Sequence, residues 1–134
     1  MDPLTFYFDR CFGRRFPEAL WRASPPFMVE FHHSDRCRFA QNMPDDEWLG
    51  EVGRRGWIAF SHDRRFHRDL PAVSAIKQHH LGCFYLWGAE ISTWDKVRWF
   101  TRHVDKIIEL SNRTERPFIY HVPQSGRPQR VLLS

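Results

Sequence analysis

Nothing in this chain reaches the roughly 18 uncharged apolar residues of a membrane-spanning helix. That excludes a spanning protein. The opening segment, residues 1–8, has no basic region leading into an apolar run, which argues against a secretory leader. Cysteine is scarce: Cys11, Cys37 and Cys83 form an odd, scattered set with no CxxC pair. Such a set points to a reducing, cytoplasmic setting rather than a disulfide framework. Joining those thiols to His32, His33, His79 or His80 matches no zinc-finger spacing. There is no G-x-G-x-x-G and no Walker loop, so nucleotide-cofactor chemistry lacks support. A nucleophile elbow is absent too, which removes Ser-His-Asp hydrolysis. No internal repeat is visible, and no long linker.

What is present fits one ordinary globular domain. The chain has 134 residues, of which 42% are hydrophobic. Net charge is +4, which favours an anionic partner. Of the 20 basic residues, only Lys77, Lys96 and Lys106 are lysines. Arginine suits phosphate and carboxylate forks, although a coding bias toward Arg explains the excess equally well. Aromatics reach 16%, with 12 Phe and six Trp. They supply core, and any that stay exposed can stack on nucleobases.

Apolar runs predict strands over 5–8, 27–31, 57–61, 83–87 and 117–122. Helical spacing and caps predict helices over 17–23, with Pro17 at the first position, and over 45–55, 71–80 and 92–112. In the last of these, Ser92 and Asp95 imitate a capping box, and Trp94, Val97, Phe100 and Val104 read as its core stripe. Strands alternate with helices from end to end, which implies an α/β fold with a mainly parallel sheet. The domain is expected over 1–122, with 123–134 as a polar, basic tail.

In such sheets ligands sit beyond the carboxyl ends of the strands. Asp9 and Asp63 each follow an apolar strand at that edge, and Asp45, Asp46 and Glu47 crowd a helix start between them. Hard oxygen ligands converging from separate elements suit Mg²⁺ or Mn²⁺. Each acid also has a plainer role. Asp45 or Asp46 can cap a helix, Asp63 can make an Asx-turn, and Asp9 can pair with Arg10 or Arg14.

Three segments carry a resemblance: Phe6-Tyr7-Phe8-Asp9-Arg10, Pro44-Asp45-Asp46-Glu47-Trp48-Leu49, and Gly56-Trp57-Ile58-Ala59-Phe60-Ser61-His62-Asp63-Arg64-Arg65. In this order they resemble the PIN-like family, and most of all its toxin-type, VapC-like branch. Pro117-Phe118-Ile119-Tyr120 adds to the likeness, which runs from about residue 5 to 122. The resemblance implies a three-layer α/β/α (Rossmann-like) fold. It further implies an endoribonuclease that depends on Mg²⁺ or Mn²⁺ and hydrolyses RNA with metal-activated water. Asp9, Asp45 and Asp63 would ligate the metal, with Glu47 as a fourth catalytic acid and Ser61 orienting a carboxylate. It implies the toxin of a toxin–antitoxin pair, with an antitoxin partner and a homodimer as further expectations. One departure stands out. The family commonly supplies another acid from the next helix, and Ala72-Val73-Ser74-Ala75-Ile76-Lys77 contains none. Asp69 and Glu90 are the substitutes in view.

Arg10, Arg14, Arg64, Arg65 and Arg68 flank the acids and are candidate contacts to RNA phosphates, or else solvated charge. His62 adjoins the presumed site but reads as a neutral surface residue, and His32-His33 closes a strand. The missing helix acid leaves open a module of the same fold that binds RNA or protein without turnover. A DNA nuclease is the other alternative, because nothing in the sequence reads the sugar.

Overall fold

The computed structural model describes residues 3–34, 37, 39–40, 42–62 and 70–133. Among them run β1 (Thr5–Phe8), α1 (Arg15–Arg22), β2 (Met28–Phe31), α2 (Asp45–Arg54), β3 (Ile58–Ser61), α3 (Leu70–Gln78), β4 (Gly82–Leu86), α4 (Thr93–Arg113), β5 (Phe118–Val122) and β6 (Gln129–Val131). A short 3-10 turn, Arg10–Phe12, follows β1. The strands form one sheet in the order β2-β1-β3-β4-β5-β6. The first five are parallel and β6 runs antiparallel to β5. This is the expected α/β architecture. None of the described helices is long and apolar enough to cross a membrane.

Two cores sandwich the sheet, because alternate residues of a strand face opposite sides. Phe6, Phe8, Ile58, Phe60, Phe84, Leu86 and Phe118 point toward α1 and α4. Tyr7, Ala59, Cys83, Tyr85 and Ile119 point toward α2 and α3. Helix α1 packs on α4, and α2 on α3, which completes the three layers. On the first face, cross-strand partners stack as a ladder. Phe8 and Phe60 lie 4.8 Å apart, Phe60 and Phe84 5.2 Å, and Phe84 and Tyr120 5.7 Å. Each pair is in direct register, the geometry in which aromatic pairs add about 0.2–1 kcal/mol beyond burial. Most of the phenylalanine is therefore core rather than exposed stacking surface. The second face sets Tyr7, Trp48 and Tyr85 among smaller groups. Gly82 lies on the first face between Ile58 and Phe118, and a Cβ there would lie 2.6 Å from the Phe118 ring.

Three local expectations change. Helix α1 begins at Arg15, so Pro17 is its third residue, not its first. The first turn of a helix has no intrahelical partners for its N–H groups, so proline fits there too. Trp94 is 69% exposed and lies outside the core stripe, while Trp99 is buried. The i, i+3 spacing carried Trp94 past the edge of the apolar face. Within the segment expected as a polar tail, residues 129–131 form β6. An edge strand pairs through its backbone, so Gln129 and Arg130 need no apolar pattern.

Candidate active site

The chain leaves β1 for β2 on one side and returns to β3 on the other, so the sheet order reverses between β1 and β3. At such a switch point the loops diverge and leave a crevice beyond the carboxyl ends of the strands. Asp9 stands there. Its backbone N–H donates to the Phe60 carbonyl at 3.1 Å, which ties it to β3. Its carboxylate accepts from the Cys11 backbone N–H at 3.0 Å, capping the 3-10 turn. Asp9 is only 7% exposed. Burial pushes its carboxyl up to about 6, opposed by hydrogen bonds from Ser61 and Cys11 and reinforced by the charge of Asp45. Ser61, buried at the end of β3, thus touches the acid it was expected to orient.

Asp45 opens α2, but Pro44 occupies the cap position. The Asp45 carboxylate accepts from the Trp48 indole N–H at 2.8 Å instead of capping the helix. Trp48 is itself buried, 5.4 Å from the Tyr7 ring. The i, i+3 spacing places both side chains on one helix face, so the core holds Asp45 toward Asp9. Arg10 approaches the same Asp45 oxygen at 3.8 Å. Glu47, one residue on from Asp46, is exposed on the first turn of α2. Glu90 is exposed in the loop after β4, where it shares a recess with His62. Arg14 is paired with Glu18 at 3.3 Å. Asp63, Asp69, Arg64, Arg65 and Arg68 lie outside the described residues. Among the described residues no three His, Cys, Asp or Glu side chains assemble into a metal-holding group. Asp9 and Asp45 are the acids brought together.

His62 is half-buried rather than on the surface. Its Nδ1 donates to the Leu86 carbonyl at 2.8 Å, which leaves Nε2 as an acceptor. Among the described residues that buried Nε2 has no partner. Burial pushes the ring down to about 4, so it is neutral. Phe12 covers it at 4.1 Å between centroids. His32 is structural: buried, it donates from Nε2 to the Ala40 carbonyl at 2.8 Å and accepts at Nδ1 from the Tyr7 hydroxyl at 3.3 Å.

Three contributors escaped the sequence reading. Trp48 was read as apolar and as part of the family-like segment, but not as the donor to Asp45 that the D-x-x-W spacing allows. Cys11 was read only for its redox setting and for zinc spacing. Its thiol packs against Asp9, and burial pushes it up to about 12, so it is no thiolate nucleophile. Lys96, in the first turns of α4, sits 5.7 Å from the Phe12 ring and brings a cation to the same edge. Helices in a parallel α/β sheet run opposite to the strands, so the start of α4 belongs at this edge.

No curated protein and no solved structure matches the chain. A family model described as PIN like domain matches residues 4–88, well over half of it. The matched segment runs from β1 through β4 and includes both acids at the switch point. The chain belongs to the PIN-like domain family, a family of nuclease-type modules.

Proposed function

We propose that this chain is a divalent-metal-dependent endoribonuclease of the toxin-type, VapC-like branch, with an antitoxin as its natural partner. The observation that carries the reading is Asp9. A buried carboxylate sits at the switch point with a second carboxylate acting on it, and its hydrogen bonds among the described residues come from Ser61 and Cys11, not from a cation. Structural carboxylates buried this deeply are normally paired. Here Asp45 adds charge of the same sign to the cost of burial, an arrangement that favours a cation.

The donor set fits Mg²⁺ or Mn²⁺. It offers carboxylate oxygens, which are hard ligands, and a Cys11 thiol that stays protonated. Asp9 and Asp45 would hold the metal, with Asp63 as the expected third ligand. When bound, the metal supplies positive charge to the phosphodiester and activates water toward phosphorus. The chain's own residues do the positioning. Ser61 and the Cys11 N–H hold the Asp9 oxygens, and the Trp48 indole holds Asp45. Arg10, already beside Asp45, can turn to a substrate phosphate once the metal balances that acid. Glu47 would assist from the first turn of α2.

One observation favours a second reading, a binding module with little turnover. Helix α3 has no acid in its first turn, so the family's extra carboxylate is missing there. The test is cleavage of a structured RNA pool with Mn²⁺, Mg²⁺ or EDTA, by wild type and Asp9→Asn. Metal-dependent cuts that vanish in the variant support the nuclease. Metal binding by wild type without any cut sinks it in favour of the second reading. Growth arrest on induction, relieved by Asp9→Asn, is the matching test of the toxin assignment.

A further inference from the structure

Two recesses open side by side beyond the end of β4. One, about 400 Å³, is bounded by His62, Leu86 and Glu90. The other, about 210 Å³, is bounded by Arg98, Trp99, Arg102 and Gln124. Trp87 and Ile91 line both, so the two make one groove. It starts beside His62, whose backbone contacts Cys11 next to Asp9, and runs along the flank of α4. Its walls are fixed. The Trp99 indole N–H donates to the Gln124 carbonyl at 3.0 Å, and Trp87 leans on Trp99 at 5.9 Å. Gly88 turns at φ +98, and a Cβ there would come within 2.9 Å of Ile91 Cδ1, so the loop closes tightly on itself.

The flank of α4 beside the groove has its own pattern: Arg98 and Arg102 line the recess, and Trp94 stands one turn before them, outside its lining. Trp94, Arg98 and Arg102 follow at four-residue steps and therefore share one side of α4. Trp94 is among the most exposed large side chains described, and the core makes no use of it. Among the described residues Arg98 pairs with Asp95, at 4.0 Å, and both side chains are more than half exposed. A pair of that kind is worth little and exchanges readily for a phosphate. Lys96 adds a third cation at the head of the groove, against the acids Glu90 and Asp95.

We propose that this groove carries a single-stranded stretch of RNA away from the acidic edge. Trp94 would stack a base while Arg98 and Arg102 grip successive phosphates. The proposal rests on the ribonuclease reading, because the groove begins at His62, whose backbone touches Cys11 beside Asp9. Charge and shape choose the occupant. An exposed indole beside guanidinium groups is the pattern that binds unpaired nucleotides without regard to sequence. A recess of about 210 Å³ suits a single base or phosphate rather than a duplex.

The test is fluorescence anisotropy of a labelled, unstructured RNA of about 12 nucleotides, within the span such grooves hold. The protein is the full chain carrying Asp9→Asn, titrated across a salt series. Adding Trp94→Ala should weaken binding at least about fivefold at fixed salt, and Trp94→Phe should restore most of it. Adding Arg98→Ala with Arg102→Ala should flatten the plot of log affinity against log salt by about 1.4, at roughly 0.7 per phosphate lost from a single strand. These side chains are exposed, so melting curves should be unchanged. Affinity and salt slope indifferent to all of these changes would overturn the groove, as would a preference for duplex or no RNA binding, which would instead suit a protein partner. Cleavage of the same RNA by the parent chain with Mn²⁺ runs in parallel. Groove-dependent binding without cleavage keeps the groove and removes the nuclease. Cleavage with groove-independent binding does the reverse.

Discussion

Replacing Asp9 with asparagine should make the metal-free protein more stable while it destroys the site. In the folded chain the Asp9 carboxyl is raised from 3.8 to about 6, first of all by burial. Below the unfolded value both states hold the proton, and the folded state has its full stability. As pH rises from about 4 to about 6 the unfolded chain releases the proton and the folded chain keeps it, so stability falls. Above about 6 the loss is complete. A shift of about two units corresponds to about 3 kcal/mol, since each unit is worth 1.36. Asparagine keeps the shape and the acceptor for Ser61 and Cys11 but never carries the charge. The quantity to follow is the difference between variant and wild type, because His62 shifts the absolute curve in the opposite direction. Its ring is lowered to about 4, so its contribution is present above about 6.5 and is lost as pH falls. Urea unfolding in EDTA at half-unit steps from pH 4 to 8 should show the Asn variant gaining up to about 3 kcal/mol by pH 6.5 and level beyond. Adding Mn²⁺ at pH 7.5 should then stabilise wild type and narrow the gap. A variant-minus-wild-type difference that stays flat across this range would refute the claim that Asp9 is a buried, uncompensated charge.

Three further outcomes follow from the same contacts. Trp48→Phe keeps a ring against Tyr7 but removes the N–H that holds Asp45, so metal-dependent cleavage should drop about 10–100-fold with the fold intact; unchanged cleavage would mean that Asp45 needs no such hold. The His62 ring should show no titration by NMR between pH 5 and 8, and a midpoint within that window would contradict its burial. Gly82→Ala drives a methyl against the Phe118 ring and Ile58 and should cost about 1–3 kcal/mol in urea unfolding. Wild-type stability in that variant would show that β4 has room to move.

The five parallel strands were legible because each is a short, continuous apolar run, the pattern of a strand covered on both faces. The start of α4 was legible because Ser92 accepts from the Asp95 N–H at 3.1 Å, as the capping pattern anticipates. β6 was invisible, since its side chains are polar and only its backbone joins the sheet. The site divides along similar lines. Asp9 and Asp45 could be read because a strand end and a helix start are local features. What holds them could not. The Trp48 side chain serves the core with its rings and Asp45 with its nitrogen, and a hydropathy pattern registers only the first. Lys96 belongs to the site through the placement of α4 across the sheet, which no local pattern encodes. Asp63 was named from its strand end and lies outside the described residues.

The division between the two faces explains how a small fold tolerates its acids. One face of the sheet is an aromatic ladder from Phe8 to Tyr120, closed by α1 and α4. Each buried phenylalanine there contributes about 1.5–3 kcal/mol by removal from water. Two such side chains already offset the roughly 3 kcal/mol that ionising Asp9 costs. The polar work lies at the carboxyl edge of the other face, where Ser61, Trp48 and Tyr7 supply groups that can hydrogen-bond. Moving Asp9 one residue back, to the position of Phe8, would turn it into the ladder. There it would meet Phe12, Phe16 and Phe60 and no donor from Cys11. The carboxylate is tolerable because it begins where the strand ends. The turn after β1 gives it the Cys11 backbone N–H and thiol, and β3 gives it the Ser61 hydroxyl.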